Sequence, residues 1–148
     1  PGDYNGNNEL DAGDLDLQAQ AIVGGQNPAE FDLNGDGVVD FAGDRLMWLH
    51  DLKTTWVGDA DLDGLFDSQD FVTVFVAGKY ETGEAANWDE GDWNADLLFD
   101  SGDFVVACID GGYEAGTFPG AVQAVPEPSA LALLAIALLG LAAKRKRP

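Results

Sequence analysis

The chain has 148 residues, 27 acidic against seven basic, and a net charge of −20. That field repels phosphate backbones and sets nucleic acid aside as a partner. A hydrophobic content of 46% argues against a disordered acidic tail, and a single cysteine, Cys108, excludes an intramolecular disulfide.

The charge is unevenly spread. Lys144, Arg145, Lys146 and Arg147 fall in the last five positions, so residues 1–143 hold 27 acids against Arg45, Lys53 and Lys79, a net −24. A compact body of that charge needs cations to offset self-repulsion. The sequence starts at Pro1 without methionine or signal peptide and is expected to be the C-terminal piece of a longer protein.

The first unit opens with "GDYNGNNELDAGDLDLQAQAIVGG" from Gly2. Numbered from its first aspartate, the loop 3–14 sets Asp3, Asn5, Asn7, Asp11 and Asp14 at positions 1, 3, 5, 9 and 12. Asn8 takes the bend at position 6, a place that asparagine tolerates. The second unit, "FDLNGDGVVDFAGDRLMWLHDL", supplies Asp32, Asn34, Asp36 and Asp40. Its twelfth position is Gly43, and Asp44 comes one residue late. Either the loop bulges to let Asp44 reach the common centre, or the site is weak.

The third loop, 59–70, is the most regular, with Asp59, Asp61, Asp63, Asp67 and Asp70 and a glycine, Gly64, at the bend. The fourth, 92–103, has Asp92, Asn94, Asp96, Asp100 and Asp103, but Leu97 at the bend. Leu97 costs about 1–2 kcal/mol if it keeps a left-handed conformation. Segments 58–83 and 91–116 are identical at 14 of 26 positions, and the four first acids are spaced by 29, 27 and 33 residues.

Each loop is followed by an apolar run: Leu15 to Val23, Leu46 to Leu52, Phe71 to Ala77 and Phe104 to Ile109. The β-branched residues of "FVTVFVAG" also permit a strand. Ser68 and Ser101, placed as N-caps, favour helices, and Gly24, Gly78 and Gly111 end three of them. His50 reads as an ordinary helix residue and Cys108 as a small core residue. Trp56, Trp88 and Trp93 are expected to pack between repeats rather than to stack on sugars.

The loop spacing is that of an EF-hand calcium loop with Asp in place of the final Glu. Calcium wants six to eight oxygens at about 2.3–2.6 Å. Positions 1, 3, 5, 9 and 12 supply side-chain oxygens and position 7 a carbonyl. Position 8 points away and is apolar in every unit, at Leu10, Val39, Phe66 and Phe99. Up to four ions are expected, with the loops ranked three, one, four, two.

These residues resemble the type I dockerin repeat, in which a calcium loop is followed directly by one helix. The resemblance covers residues 2–118. It implies a mainly α fold of two EF-hand-like repeat pairs, 1–54 (loops 3–14 and 32–44) and 57–118 (loops 59–70 and 92–103). It also implies a possible cohesin-like partner, through which an upstream polysaccharide-degrading enzyme would dock on a scaffold. The helix starts "DLDLQ", "DRLMW", "DFVTV" and "DFVVA" lack the polar recognition pair of cohesin-binding members. With the carboxylates assigned as ligands, the chain is expected to be non-catalytic.

Residues 119–128 read as a linker, 129–143 as a short hydrophobic helix and 144–148 as a basic tail. Fifteen helical residues span about 22 Å, short of a hydrocarbon core of about 30 Å. A short apolar span closed by basic residues suits a sorting segment or a snorkelling membrane anchor over residues 129–147, with the repeats facing outward. Val125, Pro126, Glu127 and Pro128, the apolar run and the basic cluster resemble the PEP-CTERM sorting domain. That resemblance implies an exosortase partner, export to the cell envelope, and a C-terminus held transiently or stably in the inner membrane.

Overall fold

The computed structural model describes residues 1–120. Four loop–helix units follow one another. Helix α1 is Ala12–Gly24. Helix α2 consists of two π-helical stretches, Phe41–Arg45 and Trp48–Lys53, joined through Leu46 and Met47 in right-handed helical conformation. Helix α3 is Ser68–Val76 and helix α4 is Ser101–Asp110, with a 3-10 turn, Trp88–Glu90, ahead of the fourth loop. The fold is mainly helical, with no strand among the described residues. None of the described helices is long and apolar enough to cross a membrane. The motif Val125–Pro128, the apolar segment 129–143 and the basic tail lie outside the described residues.

Each helix starts on the ninth loop residue. Asp11, Asp67 and Asp100 accept N–H bonds from Gly13, Gln69 and Gly102 at 2.9, 2.7 and 2.6 Å. The closing acids Asp14, Asp70 and Asp103 accept the N–H of those same aspartates at 3.0, 2.8 and 2.9 Å, completing a capping box. Ser68 and Ser101 therefore do not cap; they are the first residues inside α3 and α4. A carboxylate one residue earlier is the stronger acceptor and also complements the positive end of the helix.

In α2 the closing acid comes one residue later, and the helix widens to absorb it. Asp40 accepts from Gly43 N–H at 2.6 Å, and Asp44 accepts from Asp40 N–H at 2.9 Å. Arg45 N–H reaches back to the Asp40 carbonyl at 3.1 Å, a five-residue bond that defines a π turn.

Leu15, Trp48, Leu49, Val74 and Ala107 from the four helices meet Phe66, Trp88, Trp93 and Phe99 from the connecting segments in one buried cluster. All four units contribute to it. The third and fourth units clasp one another reciprocally. Glu114 N–H donates to the Phe66 carbonyl and Glu81 N–H to the Phe99 carbonyl, each at 2.8 Å. Tyr113 and Tyr80 pack edge-on to the same phenylalanines, with ring centroids 5.5 and 5.1 Å apart.

His50 stacks on Phe118 at 4.5 Å, and its Nε2 lies 3.0 Å from Asp110 Oδ1. Trp56, Trp88 and Trp93 are buried, as expected. Cys108 is exposed, which corrects its reading as a core residue. Helix α4 turns Asp103 and Ala107 inward and leaves Val105, Cys108 and Ile109 on its outer face. Phe75, at the equivalent place in α3, is likewise exposed.

Gly91 precedes the fourth loop at φ 112°, and a Cβ there would lie 2.4 Å from the Phe99 ring. Gly58 stands in the same relation to Phe66, at 2.6 Å. Gly91→Ala should lose about 2–4 kcal/mol from backbone strain and overpacking together. Urea unfolding followed by tryptophan fluorescence measures this; a loss under about 0.5 kcal/mol, the size of a neutral surface change, would contradict the packing described.

Candidate metal centres

In every loop one buried carboxylate ties the two ends together. Asp14 accepts the N–H groups of Tyr4, Asn5 and Asp11 at 2.7, 3.0 and 3.0 Å. Asp44 accepts those of Leu33, Asn34 and Asp40, Asp70 those of Ala60, Asp61 and Asp67, and Asp103 those of Trp93, Asn94 and Asp100. Despite its displaced position, Asp44 occupies the same place as its three counterparts.

The first acid organises the turn. Asp3 accepts from Gly6, Asn7 and Asn8, Asp32 from Gly35 and Gly37, Asp59 from Asp63 and Gly64, and Asp92 from Asp96. Thr55 Oγ1 also donates to Asp59. Asn8, Gly37, Gly64 and Leu97 at the bend all have φ between 68° and 95°. Leu97 thus keeps the left-handed conformation that it disfavours. The fourth position is left-handed too, at Gly6, Gly35, Leu62 and Ala95. Sequence reasoning missed this second bend, although the glycines of the first two loops were a signal for it.

The middle residues differ between loops in one respect. In loop one, Asn5 and Asn7 donate to Asp11 at 3.1 and 2.6 Å. In loops two and four, Asn34 donates to Asp36 at 3.1 Å and Asn94 to Asp96 at 3.0 Å. An amide nitrogen there bridges to one acid of the loop, where a carboxylate would face it bare. Loop three has Asp61 instead, and carboxylate oxygens of Asp59, Asp61 and Asp63 lie within 4.8 Å of one another.

No lysine or arginine forms an ion pair with a loop carboxylate among the described residues. Arg45 donates to carbonyls, Lys53 to the Leu10 carbonyl at 2.7 Å, and Lys79 pairs with Glu90. Burial pushes Asp59 up to about 6, Asp92 to about 7 and Asp103 to about 6. Burial also raises Asp70, outweighing its three N–H bonds. The Arg45 charge lowers Asp92 in part without pairing with it, and an oxygen-only donor set of this kind suits a hard divalent cation. Asp11 and Asp61 both open on a cleft of about 800 Å³, also lined by Glu9, Lys53 and Asp89, which gives solvent a route to loops one and three.

The family model of the PEP-CTERM protein-sorting motif matches residues 124–147, spanning Val125–Pro128, the apolar run and Lys144–Arg147. This motif supports exosortase-directed sorting of a secreted protein at the cell envelope. No family match covers the loop–helix units, and no curated protein and no solved structure matches the chain.

Leu97→Gly should stabilise the protein by about 1 kcal/mol, because relief of left-handed strain exceeds the extra freedom of the unfolded chain. Chemical denaturation of the two proteins measures it, and destabilisation would contradict the strain assigned. The raised carboxylates also fix the sign of a pH effect. Their native values lie above the ordinary 3.8, so the native state binds more protons than the unfolded state. The metal-free protein should be most stable below about pH 4 and lose that stability as pH rises through about 6–7. Melting temperature with chelator across this window is the test; a melting temperature that climbs with pH would contradict it.

Proposed function

We propose that residues 1–118 form a non-catalytic, calcium-stabilised surface module, delivered to the envelope by the sorting motif that follows it. The loop–helix units act as dockerin-like, EF-hand-like pairs, and each loop takes one calcium through positions 1, 3, 5, 9 and 12, with the carbonyl of position 7 as a further donor. Loop three carries the reading: Asp59, Asp61 and Asp63 converge with neither an amide bridge nor a basic partner. An ion there would replace repulsion with attraction. Folding and binding are then one equilibrium, because the unfolded chain has no preformed site.

A second reading, a docking module that carries an upstream enzyme to a cohesin-like partner, is favoured by one observation. Val72, Phe75 and Val76 of α3 and Val105 and Ile109 of α4 are exposed on the outer faces of two related helices. Apolar surface of this kind often marks an interaction site. Pull-down with cohesin domains decides: retention favours docking, and its absence leaves the stand-alone module.

Circular dichroism with chelator and then with calcium tests the first reading. Helicity should fall on chelation and return with calcium; equal helicity in both would contradict it. Asp59→Ala should raise the calcium concentration for half-folding of the second pair about tenfold, the effect of about 1.4 kcal/mol. Asp32→Ala should raise that of the first pair by less.

A further inference from the structure

Arg45 is fully buried and belongs to neither a surface ion pair nor a loop centre. Its Nη1 donates to the Leu15 carbonyl of α1 at 2.6 Å, and its Nη2 to the Asp92 carbonyl, the first residue of loop four, at 3.1 Å. Its guanidinium sits over the Trp88 ring at 5.0 Å. Trp88 in turn donates its backbone N–H to Asp16 at 2.8 Å and its indole N–H to the Asp59 carbonyl, the first residue of loop three, at 2.9 Å. One buried arginine–tryptophan unit therefore holds the first residue of both loops of the second pair, while anchored to α1.

The other end of this connection is loop two. Arg45 directly follows Asp44, the acid that closes that loop, and both lie in the π turn Phe41–Arg45. A π turn is uncommon, and this one exists because Asp44 must reach Leu33, Asn34 and Asp40 from one residue too far along. If the loop lets Asp44 go, the ordinary α register becomes available. A one-residue change of helical register turns each side chain by about 100°. That rotation would withdraw the guanidinium from Asp92 and Trp88. Coupling between distant sites requires such a two-state element, and release of Asp44 would supply the second arrangement.

We propose that Arg45 couples the two repeat pairs: a cation held in loop two fixes Asp44 and the π turn, which seats Arg45 and pre-orders loop four for its own cation. The inference rests on calcium as the loop ligand. It adds that loop four, with Leu97 strained at its bend, depends on a residue 47 positions away in sequence.

The test is a calcium chloride titration of the full 148-residue chain by amide NMR. Val38 N–H reports loop two and Leu98 N–H reports loop four, each being bonded to the position-5 acid of its own loop. With Arg45 present, Asp32→Ala should weaken the calcium midpoint at Leu98 by about fivefold or more, the lower end of ordinary coupling between sites. In an Arg45→Met background, the same substitution should move Leu98 less than about twofold. Arg45→Lys keeps a charge without the planar fork, serves if the methionine variant does not fold, and should uncouple in the same way. An unchanged Leu98 midpoint in Asp32→Ala overturns the coupling without any Arg45 variant. An equal shift with and without Arg45 overturns its role. No response of Leu98 to calcium in the unsubstituted protein contradicts calcium binding at loop four itself, and the coupling with it.

Discussion

Each unit of this protein is closed by one buried aspartate that accepts three backbone N–H groups. Asp14, Asp44, Asp70 and Asp103 bond the second and third residues of their loops and the residue that caps the helix. With that carboxylate in place, the loop is a closed ring, the helix starts at a set residue, and the apolar eighth position is turned inward. Phe66 and Phe99 reach the core by this route. The constraint is strong enough that the first turn of α2, Phe41–Arg45, opens into a π turn to satisfy it.

The same arrangement creates the electrostatic problem that a cation would solve. Closing the loops buries carboxylates beside one another in a body with three basic residues, none of them paired to a ligand position among the described residues. Desolvation disfavours the charged forms of Asp59, Asp92 and Asp103. Protons or a divalent ion can relieve this, and a hard cation suits an oxygen-only donor set. For a protein sorted to the cell envelope, calcium-dependent folding would let the module become rigid once outside.

Much of this was legible in the sequence because loop chemistry is local. The spacing of acids, the apolar eighth position and the glycine or asparagine bends follow from contacts within twelve residues. Where reading failed, either a competitor sat one residue away or the partner was distant. Ser68 and Ser101 are good caps in isolation, but Asp67 and Asp100 precede them and bear a charge. Asp44 raised the question of a bulge, yet nothing local said that the helix would absorb the extra residue. Cys108 was placed by its apolar neighbours, whereas its helical phase, fixed by the buried Asp103 and Ala107, puts it outside. The Arg45–Trp88 unit spans tens of residues and leaves no spacing signature; the sparseness of basic residues was the one hint that a buried arginine mattered.

The central proposal is that the loops take up calcium, and that in loops three and four, where burial raises Asp59, Asp92 and Asp103, this uptake displaces protons. Proton release on adding calcium, measured by pH-stat titration, tests it most directly. At pH 6 calcium should bind and release on the order of one proton or more per chain, from Asp59, Asp92 and Asp103. At pH 8, where these groups are already ionised, release should nearly vanish. Calcium binding at pH 6 with no proton release, or no binding at either pH, would contradict the account.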